Sequence, residues 1–140
     1  MSFSDLPDSD RELCKKAAAA LWESYKPGRH WVGCALRTDR GEVYTGINME
    51  TFVGTAAIHA EPIAISKAIQ GGDAFIQKIV TVHTPDGDDV EVISPCGGCR
   101  ELIWTYAPKC SVLVNDGGQI QSQTISELLP AMPYKEPQNR

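Results

Sequence analysis

Pro95-Cys96-Gly97-Gly98-Cys99-Arg100-Glu101-Leu102 is the stretch on which this chain turns, together with His59-Ala60-Glu61 upstream. Each segment opens a predicted helix. Cys96 and Cys99 are three apart, which puts both sulfurs on one helix face. The positive end of the helix dipole biases thiols there toward thiolate, the form that binds metal. Pro95 presets the turn, and Gly97 and Gly98 let the backbone come close to an ion. If the two helix starts lie side by side, one imidazole and two thiolates meet at one point. Three protein ligands leave the fourth position of a tetrahedral zinc open, the composition of a catalytic rather than a structural site. Zinc lowers the pKa of bound water to about 7. Glu61, two residues from His59, is then free to sit beside that water and move protons without ligating the metal.

Taken singly, these residues have plainer readings. A histidine before a helix serves as a cap, a lone CxxC as a redox pair or structural zinc corner, and a glutamate in a first turn as a dipole partner. A structural zinc site calls for a second CxxC or an HxxxH, and the chain has neither.

Working outward, Ser9-Asp10-Arg11-Glu12 has the form of a capping box, and Leu13, Ala17, Ala20, Leu21 and Ser24 continue at helical spacing. Residues 31–37 and 42–47 read as a hairpin around Asp39-Arg40-Gly41. Residues 58–70 read as a helix ended by Gly71-Gly72, with Pro62 tolerated in its first turn. Residues 76–83 read as a strand, 84–93 as a polar loop and 96–106 as a helix. Residues 111–115 read as a strand, followed by a turn at 116–118 and a last short helix at 124–129. This alternation predicts an α/β protein with a mixed sheet covered by helices, forming one domain over residues 1–140.

The net charge of −5 comes without a basic stripe, which argues against a nucleic-acid partner and for a small neutral or cationic substrate. No run approaches the roughly 20 apolar residues of a membrane helix, and no secretory leader is visible, so no membrane partner is expected. Of five cysteines, Cys14, Cys34 and Cys110 read as small buried residues in a reducing, cytoplasmic setting. Trp22 reads as core, Trp104 and Tyr106 as core or subunit interface, and His83 as a satisfied or exposed histidine.

H-x-E followed by P-C-x-x-C is the signature of zinc-dependent base deaminases. Over residues 10–134 the chain resembles the cytidine deaminase family, including its blasticidin S deaminase branch. Beyond the zinc motifs the likeness rests on Val32-Gly33-Cys34-Ala35-Leu36, Gly46-Ile47-Asn48-Met49-Glu50, Ser94 through Glu101, and Glu127-Leu128-Leu129-Pro130. The resemblance implies a three-layer α/β/α fold on a mixed five-stranded sheet. It implies one zinc per chain on His59, Cys96 and Cys99, with Glu61 as proton shuttle and Asn48, Glu50 and Ala60 on the substrate. Small members are usually homotetramers, so the resemblance implies a homotetramer here, with a homodimer as the alternative. The implied reaction is hydrolytic deamination of cytidine or deoxycytidine, in salvage. The alternatives are a modified cytosine nucleoside such as blasticidin S, in drug resistance, or a zinc-stabilised binding module without activity. Two departures offset each other: His59 stands where many small members have Cys, and Pro62 stands where they have Arg. His30 or Trp31 replaces the Phe that shapes the nucleoside wall, and Tyr134 is the candidate to reach a neighbouring site.

Overall fold

A computed structural model describes residues 3–137. Helix α1 (Asp8–Ser24) is followed by strands β1 (Val32–Thr38) and β2 (Val43–Ile47), a 3₁₀ turn at Gly54–Ala56, and helix α2 (Ala60–Gln70). Then come β3 (Ile76–His83), β4 (Glu91–Ile93), α3 (Gly97–Tyr106), β5 (Ser111–Asp116), β6 (Gln119–Thr124) and a 3₁₀ turn at Ser126–Leu128. The sheet runs β2-β1-β3-β5-β6, the mixed five-strand path expected, and β4 adds a sixth short strand beside β3. β1 is antiparallel to β2 and β3, β3 is parallel to β5, and β5 is antiparallel to β6.

Strand side chains alternate between two helical layers, as the period of two requires. Ala35, Val80, Val82 and Leu113 face α1 and pack on Leu13, Cys14 and Ala17. Their neighbours Cys34, Leu36, Ile79, Val112 and Val114 face the other way, onto Ala60, Ala64 and Ile65 of α2 and Ile103 and Trp104 of α3. The three-layer order is thus carried by these two interleaved residue sets. On the α1 face Lys78 reaches Asp10 at 2.9 Å, tying the helix to β3.

Helix α2 lies close on β2 because Gly46 has no side chain. A Cβ there would stand 2.5 Å from the Ala60 carbonyl oxygen and 2.8 Å from the Ala64 nitrogen, both backbone atoms that cannot turn aside. Gly46→Ala is therefore expected to cost about 1–3 kcal/mol through overpacking. It also displaces the start of α2. The urea midpoint of the variant checks this; an unchanged midpoint would show that the helix can move away freely.

Several expectations need correction. No capping box forms: Pro7, with φ −52°, is the cap position of α1, and Ser9 lies inside the first turn without a side-chain cap bond. Proline presets that backbone angle, so the helix starts before the serine. The polar loop at 84–93 ends in β4, which pairs Thr81–His83 just where β5, paired to residues 78–80, leaves the edge of β3. The segment after the 116–118 turn returns as β6, and only Ser126–Leu128 of the predicted last helix is helical. Trp22 is not core; it is 36% exposed and meets Tyr25 edge-on, with ring centroids 5.0 Å apart. Of the two residues read as core or subunit interface, Trp104 is buried in the core and Tyr106 is exposed. Cys14, Cys34 and Cys110 are fully buried. No helix among the described residues is long and apolar enough to cross a membrane.

Candidate active site

His59 and Cys96 were read as first helical residues; they are instead the residues that cap α2 and α3. A cap residue has extended backbone, so its side chain projects from the helix start rather than along its flank. The two helix starts lie together, and His59 Nδ1 stands 3.2 Å from Cys99 Sγ and 3.4 Å from Cys96 Sγ. Donor atoms of the three residues all fall within 4.8 Å of one another. Zn–S bonds of about 2.3 Å and Zn–N bonds of about 2.0–2.1 Å at tetrahedral angles require N···S edges of roughly 3.6 Å. The donor set and its spacing therefore fit zinc after a small expansion. The Cys99 backbone N–H donates to Cys96 Sγ at 3.4 Å, fixing that sulfur at the start of α3. Arg100 holds the approach to Cys96, donating from Nε to the Pro95 carbonyl at 2.8 Å and from Nη1 to the Leu128 carbonyl at 3.4 Å.

Burial pushes the Cys99 thiol far above its ordinary value, and the charges of Glu61 and Cys96 push it the same way. A divalent cation reverses that balance, because a coordinating thiol is deprotonated. Glu61 is 3% exposed, and burial raises its carboxyl pKa; its own backbone N–H and the Cys99 thiol act in the opposite direction. No Lys or Arg pairs with it among the described residues. Beneath it lies Cys34, whose thiol is pushed well up by burial and further by the Glu61 charge.

A cleft of about 400 Å³ opens above these groups. It brings together Asn48, Glu50, His59, Ala60, Glu61 and Cys96, all singled out in the sequence, while Cys99 sits behind them. Trp31, Val32, Ile58, Ile93 and Ser94 complete its walls. Of the two candidates for the wall, Trp31 lines the cleft. His30 turns away, and its Nδ1 meets the Asn48 carbonyl oxygen at 2.8 Å. Asn48 is 6% exposed, and its Oδ1 accepts from the backbone N–H groups of Trp31 (2.8 Å) and Val32 (2.9 Å). Two converging N–H donors identify that atom as the oxygen, so Asn48 presents its NH₂ to the remaining space. Sequence reasoning missed Ile93 and Ser94, which stand at and just beyond the end of β4. Their signal was the short β-branched run Val90-Glu91-Val92-Ile93 before Pro95. His83 is satisfied by Glu91, with Nε2 and Oε1 2.7 Å apart. Tyr134 lies exposed in the C-terminal segment, and no contact places it at the cleft.

The chain matches the family model for the cytidine and deoxycytidylate deaminase zinc-binding region over residues 7–115. It is 38% identical over 134 residues to a blasticidin-S deaminase of Bacillus cereus, covering 93% of this chain and 96% of that one. With a cytidine deaminase of Halalkalibacterium halodurans it shares 35% identity over 125 residues, 86% of this chain and 92% of the other. Among solved structures, the cytidine deaminase of Mycobacterium leprae superposes with a TM-score of 0.73 at 30% identity, covering 89% of this chain and 98% of that one. The geometry, the donor set and these likenesses agree: this chain belongs to the cytidine and deoxycytidylate deaminase family and is a zinc-dependent hydrolytic deaminase.

Proposed function

We propose that this enzyme converts cytidine and deoxycytidine to the corresponding uridines, consuming one water and releasing one ammonia. The reading is carried by Glu61, a buried carboxylate with no Lys or Arg partner among the described residues, lining one cleft with the zinc donors His59 and Cys96. Zinc on His59, Cys96 and Cys99 supplies Lewis acidity, which makes water acidic enough to lose a proton near neutral pH. Glu61 takes that proton and passes it to ring N3 as the oxygen adds at C4; it then takes the remaining proton of the added hydroxyl and delivers it to the amine, so that the C4–N bond breaks as the C4 carbonyl forms and ammonia leaves. Its raised pKa suits it to both directions of transfer. Trp31 supplies an apolar wall, and the backbone N–H of Ala60, among the first of α2, has no partner within the helix and is available to the substrate.

Asn48 and Glu50 hold the sugar. With its oxygen already engaged, Asn48 is a donor, and Glu50 is the complementary acceptor, which matches a hydroxyl that gives one hydrogen bond and takes another. Glu50→Gln is expected to lower kcat/KM for cytidine about 10–100-fold, the worth of one hydrogen bond to a charged acceptor. It is expected to leave zinc content unchanged. Steady-state kinetics with metal analysis checks this, and unchanged kcat/KM would remove Glu50 from the substrate.

Trp31, Met49, Phe52, Val53 and Ile58 are exposed apolar residues at or near the cleft mouth. Their exposure supports a homotetramer in which copies cover them. The free cysteines support a cytoplasmic location, and the net charge of −5 supports free nucleosides over nucleic acid. A second reading, deamination of blasticidin S, is favoured by the 38% identity to the B. cereus enzyme of that name. Ultraviolet spectra of cytidine and of blasticidin S, each incubated with the zinc-loaded protein, separate the two. Turnover of cytidine supports salvage, turnover of blasticidin S alone supports resistance, and turnover of neither overturns the cytosine-nucleoside reading.

A further inference from the structure

The segment before β1 and the segment after β2 are laced together beside the cleft. Glu50 N–H donates to the Arg29 carbonyl at 3.0 Å, and Asn48 N–H donates to the Val32 carbonyl at 3.1 Å. In return, Trp31 N–H and Val32 N–H donate to Asn48 Oδ1. A second side chain joins this lacing. His30 Nδ1 stands 2.8 Å from the Asn48 carbonyl oxygen, which has only lone pairs to offer, so Nδ1 carries the proton and donates. Asn48 is therefore gripped at three points: its amide, its carbonyl and its side-chain oxygen. What remains free is the NH₂ group, aimed by elimination, and the peptide that leads on to Glu50.

We propose that His30 is a positioning residue for substrate binding. By donating from Nδ1 to the Asn48 carbonyl, it sets the Asn48–Glu50 segment so that amide and carboxylate meet one sugar hydroxyl together. His30 itself is half-buried, lines no part of the cleft and lies away from the reacting atoms, so it acts only through Asn48 and Glu50. This rests on the sugar-binding reading of those two residues. A hydrogen bond that fixes a binding pair improves affinity for ligands that use the pair and does nothing for ligands that do not. The geometry also says which replacement suffices. Asparagine carries its Nδ2 at the same bond distance from Cβ as histidine carries Nδ1. Glutamine carries its amide one bond further out.

The test compares wild type, His30→Ala, His30→Asn, His30→Gln and Glu50→Gln, all zinc-loaded, on cytidine and on 2′,3′-dideoxycytidine. His30→Ala is expected to raise KM for cytidine about tenfold, as for loss of one aligned hydrogen bond. Its kcat stays within about twofold. KM for the dideoxynucleoside and the zinc content do not change. His30→Asn restores the cytidine KM and His30→Gln does not. An equal rise in KM for both nucleosides, a fall in kcat alone, or His30→Asn behaving like His30→Gln overturns the proposal. If His30→Ala fails to fold, the Asn and Gln variants decide it. If Glu50→Gln separates the two nucleosides and the His30 variants do not, only the role of His30 falls. If wild type treats the two nucleosides alike, the sugar reading fails and the proposal with it.

Discussion

Glu61→Gln is expected to lose turnover by about 10²–10⁴-fold, the range spanned by a positioned general acid–base. Its zinc content should match wild type, because the carboxylate is not among the donors that converge on the metal. The same substitution is expected to stabilise the metal-free protein at neutral pH. Burial raises the folded-state pKa of Glu61 above its unfolded value. The neutral form is therefore favoured by folding, and the resulting stability is fully present below the unfolded pKa, about 4.3, and lost as pH rises through the folded pKa. Above that point wild type holds a buried carboxylate with no Lys or Arg beside it among the described residues, whereas glutamine stays neutral throughout. Melting temperatures of the two chelator-treated proteins from pH 4 to pH 8 should be close at the acid end and diverge upward, with the variant higher. Parallel curves would show that Glu61 is not destabilised by its surroundings. Full activity in the variant would remove it from the reaction.

The second large effect is expected at Cys99, the buried member of the donor set. Cys99→Ala should retain the fold and lose both zinc and turnover, since a histidine and one thiolate leave the metal two protein ligands. Zinc affinity in the wild type should itself depend on pH. Burial keeps the Cys99 thiol protonated in the metal-free protein, so binding must expel that proton. Affinity then rises about tenfold per pH unit for each proton displaced. Competition against a chelator of known pH behaviour, at pH 6, 7 and 8, measures this. A flat profile would mean that the thiol is already ionised before the metal arrives.

The chemistry of this protein was more legible in its sequence than its edges were. His59, Cys96 and Cys99 could be joined because each stands at a helix start whose preceding residues read as turn or strand, and the interleaved apolar residues of β1, β3 and β5 declared two buried faces. β6 escaped because Gln119-Ile120-Gln121-Ser122-Gln123-Thr124 lies at the sheet margin with one apolar residue, and an edge strand need not alternate. β4 escaped because three residues give too little periodicity; it is fixed from outside itself. Asn115 Nδ2 donates to the Val92 carbonyl at 3.1 Å, and Ser94 Oγ and the Asn115 backbone exchange hydrogen bonds on the way to Pro95. Trp22 was misjudged because aromatic size suggests core, while α1 turns its Asp10, Leu13, Cys14, Ala17 and Leu21 face inward. The bond from His30 to the Asn48 carbonyl joins residues 18 positions apart and has no periodic signature.

The layering of the sheet also sorts the five thiols by their exposure to reagents. Cys14, Cys34 and Cys110 are sealed within the two cores, where burial suppresses their thiolates. Cys99 is closed off behind the helix start, and Cys96 alone faces solvent. When the metal holds Cys96, the folded chain offers an alkylating reagent no free sulfur at its surface; when the metal leaves, it offers one. The protein thus carries its own gauge of metal loading, legible as a change in modifiable sulfur and independent of whether any nucleoside is turned over.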